Sequence, residues 1–240
     1  MTMKSKFAIA LQVIVFHLIG TASLAVSAEA GKEGMHPDAV RPASNPACYP
    51  PTPRIRLEPQ DYRNADAHWR ETVERPHFQP HYAAYLAGHF YVPAGRARGE
   101  AVSDGFDYTL WGFPNHPLAL AAIEQLSFRQ NKALRLERML LPVECYFQRA
   151  IEWYPDDAFP HAVYGYYLAR RGRKAEALYV LGVAESGGLD SLDANLYLAF
   201  AYIELRDYEK AASHARSVYG MGYPLPGLRQ RLAREGILID

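Results

Sequence analysis

The sequence carries no excess charge of either sign. Its 240 residues hold 26 Lys and Arg against 26 Asp and Glu. Removing the first thirty, which contain Lys4, Lys6 and Glu29, leaves 24 against 25. A balanced chain makes no long-range field for a nucleic acid or an anionic membrane surface, so neither is expected as a partner. Cysteine is nearly missing, with Cys48 and Cys145 alone. No cysteine pair stands at zinc spacing, and none of the nine histidines forms a helical His-Glu-x-x-His. His77 and His81 are four apart and His89 follows, but Pro76 and Pro80 disturb the helix that would align the first two. Surface or capping histidines are the plainer reading, and His116 and His161 sit beside expected helix starts. The glycines between Gly182 and Gly188 lack the Lys-Ser/Thr ending of a phosphate loop. Ser103 and Ser127 have no nucleophile motif around them. Asp156-Asp157 precede a helix, where capping and the helix dipole account for them. These absences argue against an enzyme, a resident metal or a cofactor.

The N-terminus reads as a targeting segment. Lys4 and Lys6 make a basic start, Phe7 to Val26 is mostly apolar, and Ala28-Glu29-Ala30 gives a small-x-small cleavage pattern. An uncleaved anchor is the competing reading, since the apolar run is just long enough to span a membrane. Gln12, His17 and Thr21 interrupt it and favour removal. The expected arrangement is therefore a signal peptide over 1–30 and an exported, periplasmic or secreted, mature chain. A membrane enters only through that segment if it is retained.

In an oxidising compartment two cysteines allow one pairing. Cys48 lies in a proline-rich loop holding Pro42, Pro46, Pro50, Pro51 and Pro53. Cys145 lies on an expected helix, two residues before Phe147, and that offset turns it towards whatever packs on the outside. A Cys48–Cys145 bridge would staple the N-terminal segment to the helices; two unpaired thiols is the alternative. Proline at this density forbids a helix, so 31–105 is expected to be a linker or strap with short helices. These are Asp61 to Glu74, with the Trp69/Val73 pair, and Pro80 to Ala87, stopped at Gly88.

What the chain does have is a period. Val143, Ala177 and Ala211 are evenly spaced along the sequence. Phe147, Leu181 and Ala215 keep the same interval, as do Ala150, Ala184 and Val218, and the pair Gly165 and Ala199. Phe106 to His116 echoes Phe147 to Asp157 at a longer offset, and the seven extra residues fall around Asn131 to Leu141. A glycine inside a helix costs about 1 kcal/mol against alanine, so Gly165 marks a close approach of two helices. Arg171-Gly172-Arg173 and Arg206-Asp207-Tyr208 read as the tight turns of two regular pairs. Leu225 to Glu235 reads as an amphipathic capping helix, which covers the last apolar face.

Over about 106–235 the chain resembles the tetratricopeptide (TPR) family, whose pattern is W-x2-L-G-x2-Y, then A-x3-F, then Pro. The small slots match at Gly165, Ala199, Ala177, Ala211, Ala150 and Ala184, the aromatic slots at Phe147 and Tyr202, and the closing proline at Pro155. His161 and Asn195 depart in the Trp slot, Tyr164 in the Leu slot and Val143 in an Ala slot. The resemblance implies an all-α helical-hairpin solenoid over 106–240, a short array behind a proline-rich, mostly irregular N-terminal segment. It also implies a concave groove of first helices that takes a protein or peptide partner. The groove candidates are Phe159, Tyr166, Arg170, Asp193, Leu196, Phe200 and Glu204; the alternative is that their rings pack on neighbouring helices. The expected role is a non-enzymatic scaffold or adaptor in a cell-envelope assembly. The second reading is a carbohydrate- or small-ligand-binding accessory protein, since Tyr164, Tyr166, Tyr167, Tyr197 and Tyr202 crowd the first helices.

Overall fold

A computed structural model describes residues 38, 40–43, 48, 58–129, 136–187 and 190–239. The expected signal segment and most of the proline-rich stretch lie outside those residues, as do residues 130–135. The described chain is all-helical. Its nearest approach to a strand is one bridge, Tyr91 to Ala101.

The first helical run is longer than the prolines suggest. Helix α1 (Ala67–Val73) is capped by Asp66, whose Oδ1 accepts from the Trp69 N–H at 2.8 Å. It continues through a π turn (Glu74–Phe78) into α2 (Gln79–Leu86). The expected break between Glu74 and Pro80 is absent. Pro76 has no N–H to donate and would crowd the carbonyl four residues back; the wider π turn gives it room and keeps the helix going. Pro80 falls in the first turn of α2, where its missing N–H costs nothing.

The remaining helices are α3 (Val102–Gly112), α4 (Pro117–Arg129), α5 (Val143–Trp153), α6 (Ala158–Arg170), α7 (Lys174–Ser186), α8 (Leu192–Leu205), α9 (Tyr208–Gly220) and α10 (Gly227–Arg234). Their starts repeat the offsets read from the sequence. Val102 and Pro117, which open α3 and α4, precede the starts of α5 and α6 by the same offset that separates Phe106 from Phe147. The starts of α6 and α7 recur as those of α8 and α9 at the regular interval. Local chemistry sets these ends. Asp157, Ser191 and Asp207 each cap the helix that follows. Gly172 turns at φ +74°, and Arg206 takes the same left-handed region at +61°.

Helix α6 packs against α7 and α8, α8 against α9, and α4 against α5 and α6. Gly165 is the point of closest approach within the first regular pair: a β-carbon there would stand 2.6 Å from Leu181 Cγ. Ala150, Ala177, Ala184, Ala199 and Ala211 are fully buried in the same seams. His161 and Asn195 fill their slots through polar contacts. The His161 ring nitrogen meets the Asp157 carbonyl at 3.2 Å, and Asn195 binds the Ser191 carbonyl and His214 at 3.0 Å each.

The N-terminal residues join this core. Phe78, Tyr85, Val92 and Ala97 belong to one buried cluster with the later helices, and the boundary expected after residue 105 falls inside α3. Cys48 and Cys145 are bonded, with Cα atoms 4.9 Å apart, and both are buried. Val40 N–H donates to Ala175 O at 2.9 Å and Gln148 donates to Ala43 O at 3.2 Å, so this segment lies on α5 and α7. Residues 60–63 tie down the opposite helix ends. Gln60 donates to Gly112 O, Tyr62 to Asn115, and Arg63 bridges Asp157 at 2.8 Å and Asp193 at 3.3 Å.

Candidate binding cavity

Helices α4, α6, α8 and α10 border an open cavity of about 510 Å³. Gln125, Phe128 and Arg129 line it from α4, Tyr166 and Arg170 from α6, Tyr197 and Phe200 from α8, and Arg231 from α10. A volume of this size falls in the range of small-molecule sites, roughly 300–1,000 Å³.

The lining follows from the repeat. Gln125 and Arg129 precede Tyr166 and Arg170 by the longer offset, the one that separates Phe106 from Phe147. Phe200 and Glu204 follow Tyr166 and Arg170 by the regular interval. Equivalent helices side by side bring equivalent slots together, so Gln125, Tyr166 and Phe200 form one row and Arg129, Arg170 and Glu204 the next. The longer offset is thus the sequence signal that leads to Gln125 and Arg129. Tyr197 is one of the first-helix tyrosines. Arg231, from the final helix, has no such signal.

Guanidiniums meet aromatic rings throughout this region. Arg170 lies 3.6 Å from the Phe128 centroid and 5.3 Å from that of Tyr166; Arg171 lies 4.0 Å from Phe128. Arg231 lies 5.7 Å from Phe200 and Arg129 5.4 Å from Tyr85. Each contact is attractive because the ring face is negative. Arg170 also donates to Glu124 at 2.8 Å, and Arg231 is ion-paired with Glu204. Arg129 has no carboxylate partner among the described residues.

Glu124 is fully buried behind Arg170, and its Oε2 has no hydrogen-bond partner. Burial pushes its carboxyl up to about 7, against the opposing pull of Arg170 and Arg171. Burial likewise raises the Tyr166 and Tyr197 hydroxyls, so both stay protonated at neutral pH. Tyr85 donates to Gln125 at 2.7 Å, fixing the amide at the cavity edge.

Of the groove candidates, Tyr166, Arg170 and Phe200 come together at the cavity, and Glu204 anchors Arg231 beside them. The rings of Tyr166 and Phe200 are 5.9 Å apart. Phe159 is 1% exposed and meets Tyr197 edge-on at 5.4 Å, inside the core. Asp193 is engaged by Arg63, and Leu196 is half-buried against the core. The first-helix face is therefore occupied at its N-terminal end and open at its C-terminal end.

Elsewhere the polar clusters are structural in character. Glu185 gathers His214 at 3.2 Å and Lys210 at 2.8 Å, and Lys210 donates to Tyr202 at 3.1 Å. His116 is fully buried between the rings of Tyr62 and Phe78, 4.2 and 4.4 Å away, with Glu74 at 3.3 Å. Its Nδ1 accepts from the Ala119 N–H and caps α4. His81 pairs with Glu100 at 3.1 Å and His77 stacks on Tyr108. Among the described residues no three His, Cys, Asp or Glu side chains are grouped to hold a metal ion. No family model matches the chain, and neither a characterised protein nor a solved structure matches it.

Proposed function

We propose that this chain is a TPR-type helical repeat acting as a non-enzymatic scaffold or adaptor, exported to the cell envelope, that engages a protein or peptide partner through the face formed by α4, α6 and α8. One observation carries the reading: the same two slots, in three helices set one long and one regular interval apart, converge on one cavity lined by arginine and aromatic side chains. Arg, Tyr and Phe are the residue types that anchor interfaces, because they offer contact area and directed polar groups together. The export part of the reading rests on the N-terminal sequence pattern alone.

A photo-crosslinking residue at Gln125 tests the proposal, with one at the exposed Lys174, at the start of α7 and outside the cavity lining, as control. In cells, the Gln125 probe should capture a defined protein that the Lys174 probe does not. Tyr166→Ala with Phe200→Ala should abolish that capture in a folded chain. Capture that is the same from both positions, or indifferent to the double substitution, would retire the adaptor role. A second reading, a small-ligand accessory protein, is favoured by the cavity volume and by the closed N-terminal end of the helix face.

A further inference from the structure

The cavity has an unbalanced charge. Among the described residues, Arg170 and Arg231 have donors engaged by Glu124 and Glu204, while Arg129 faces the same space with only Tyr85 against it. An exposed guanidinium at the cavity edge, with no carboxylate on its donors, favours a carboxylate ligand, to which its planar fork is matched. The rings are not equally available. Phe128 is held between Arg170 and Arg171, and Tyr197 is 8% exposed. Tyr166 and Phe200 are half-buried, tilted by 35° to each other, and each has one guanidinium at longer range, Arg170 at 5.3 Å and Arg231 at 5.7 Å, so these two rings are the more accessible ones.

An extended chain would need the rest of the helix face. That face is taken: Phe159 lies under Tyr197, and Asp157 and Asp193 are bound by Arg63. Arg231, fixed by Glu204, borders the cavity from α10. The site is compact, with one aromatic wall and one unmatched cation among the described residues.

We propose that this cavity binds a small aromatic carboxylate, its ring against Tyr166 and Phe200 and its carboxylate on the guanidinium of Arg129. The proposal rests on the small-ligand reading of the same face and names its occupant. Arg129 is the determinant of charge, because Arg170 and Arg231 already hold carboxylates. Tyr166 and Phe200 are the determinants of shape. The Arg129–Tyr85 contact fixes the guanidinium without neutralising it.

Ligand-observed NMR and calorimetry on the full chain, with the Cys48–Cys145 bond intact, test this without any protein partner. The probes are phenylacetate, 4-hydroxyphenylacetate and indole-3-acetate. Phenylethanol supplies the ring without the charge, and acetate the charge without the ring. Saturable binding is expected for the three acids and not for acetate, with phenylethanol weaker by on the order of tenfold or more. Arg129→Gln, at an exposed position, should weaken the acids by a similar factor and leave phenylethanol unchanged. Tyr166→Ala should weaken both. The inference is overturned if no acid binds up to millimolar concentration, if phenylethanol matches the acids, or if Arg129→Gln changes nothing. A capped acidic peptide that binds more tightly than every small acid also overturns it, in favour of a peptide occupant. Because the adaptor role is read from crosslinking in cells, it can survive the failure of this ligand, and this ligand can survive the failure of the adaptor role.

Discussion

Substitution of Gly105 by alanine probes the packing that joins the N-terminal helices to the repeat. Gly105 lies on α3 opposite the π turn, and a β-carbon there would overlap the His77 carbonyl oxygen and the His81 ring. A carbonyl in a helical ladder cannot rotate away, so α3 and the π turn would have to separate. Phe78 and Phe106, 5.9 Å apart and nearly fully buried, would lose part of their contact. Alanine returns about 1 kcal/mol of helix propensity. Overpacking a dense core costs about 1–3 kcal/mol where side chains can adjust, and more where backbone must move. The net expectation is a loss of about 3 kcal/mol, which for a domain of this size lowers Tm by about 6–12 °C. Gly165→Ala is the internal control. Its β-carbon would meet the flexible Leu181 side chain rather than a main-chain atom. The same propensity gain then leaves a loss of only about 0–2 kcal/mol. Thermal melts followed by circular dichroism read both. A Gly105→Ala chain melting within about 2 °C of wild type, or less perturbed than Gly165→Ala, would refute the reasoning (that shift being about 0.5–1 kcal/mol at this size).

Three further outcomes are expected. Cys48 and Cys145 close a loop with a sequence separation of 97, so replacing both by serine should lower unfolding free energy by about 4–5 kcal/mol in the chain-entropy account. Equal urea midpoints with and without reductant would contradict that. Glu124 is more easily protonated folded, at about 7, than unfolded, so its contribution is complete below about 4.5 and is lost as pH rises to 7. Glu124→Gln should therefore gain on wild type by about 3 kcal/mol across that window, and parallel stability curves from about pH 4 to 8 would sink the assignment. Arg63→Ala removes two ion pairs whose arginine is 37% exposed, so stability should change by less than about 1 kcal/mol. Limited proteolysis near residues 60–64 should nonetheless quicken; an unchanged cleavage rate would mean that Arg63 does not hold this segment.

The helix bounds are legible in the sequence because their causes are local. Asp157, Ser191 and Asp207 cap within three residues, Gly172 turns the chain where a positive φ is needed, and the small residues at the repeat interval mark where helices touch. The helical run through Pro76 is not legible, because proline reads as a breaker unless the turn widens around it. Nor is the use of the first-helix face. Phe159 and Tyr166 stand seven apart on one stripe, and periodicity alone makes them equivalent. Tyr197 meets both edge-on, but Phe159 is buried completely while Tyr166 keeps part of its surface at the cavity, a fact of neighbouring helices that no single stripe contains. Arg63 binding Asp157 and Asp193 is a contact between segments far apart in the chain, made by side chains whose charges are unremarkable in sequence.

The second row of cavity slots shows how the repeat departs from itself. Arg129 and Arg170 are followed, at the same position of the next first helix, by Glu204. A strict repeat would place a third arginine there. The carboxylate instead draws Arg231 from α10, so the guanidinium that the row lacks arrives from outside it, already paired. Arg170 is likewise engaged by the buried Glu124. The two pairings fix the cation geometry of the cavity while leaving one charge, on Arg129, to be met. Charge of this kind is invisible in the neutral total of the chain, because it is set by which cations keep a partner and which do not. On the ligand proposal, specificity would therefore sit in the first and last helices that line the cavity, α4 and α10.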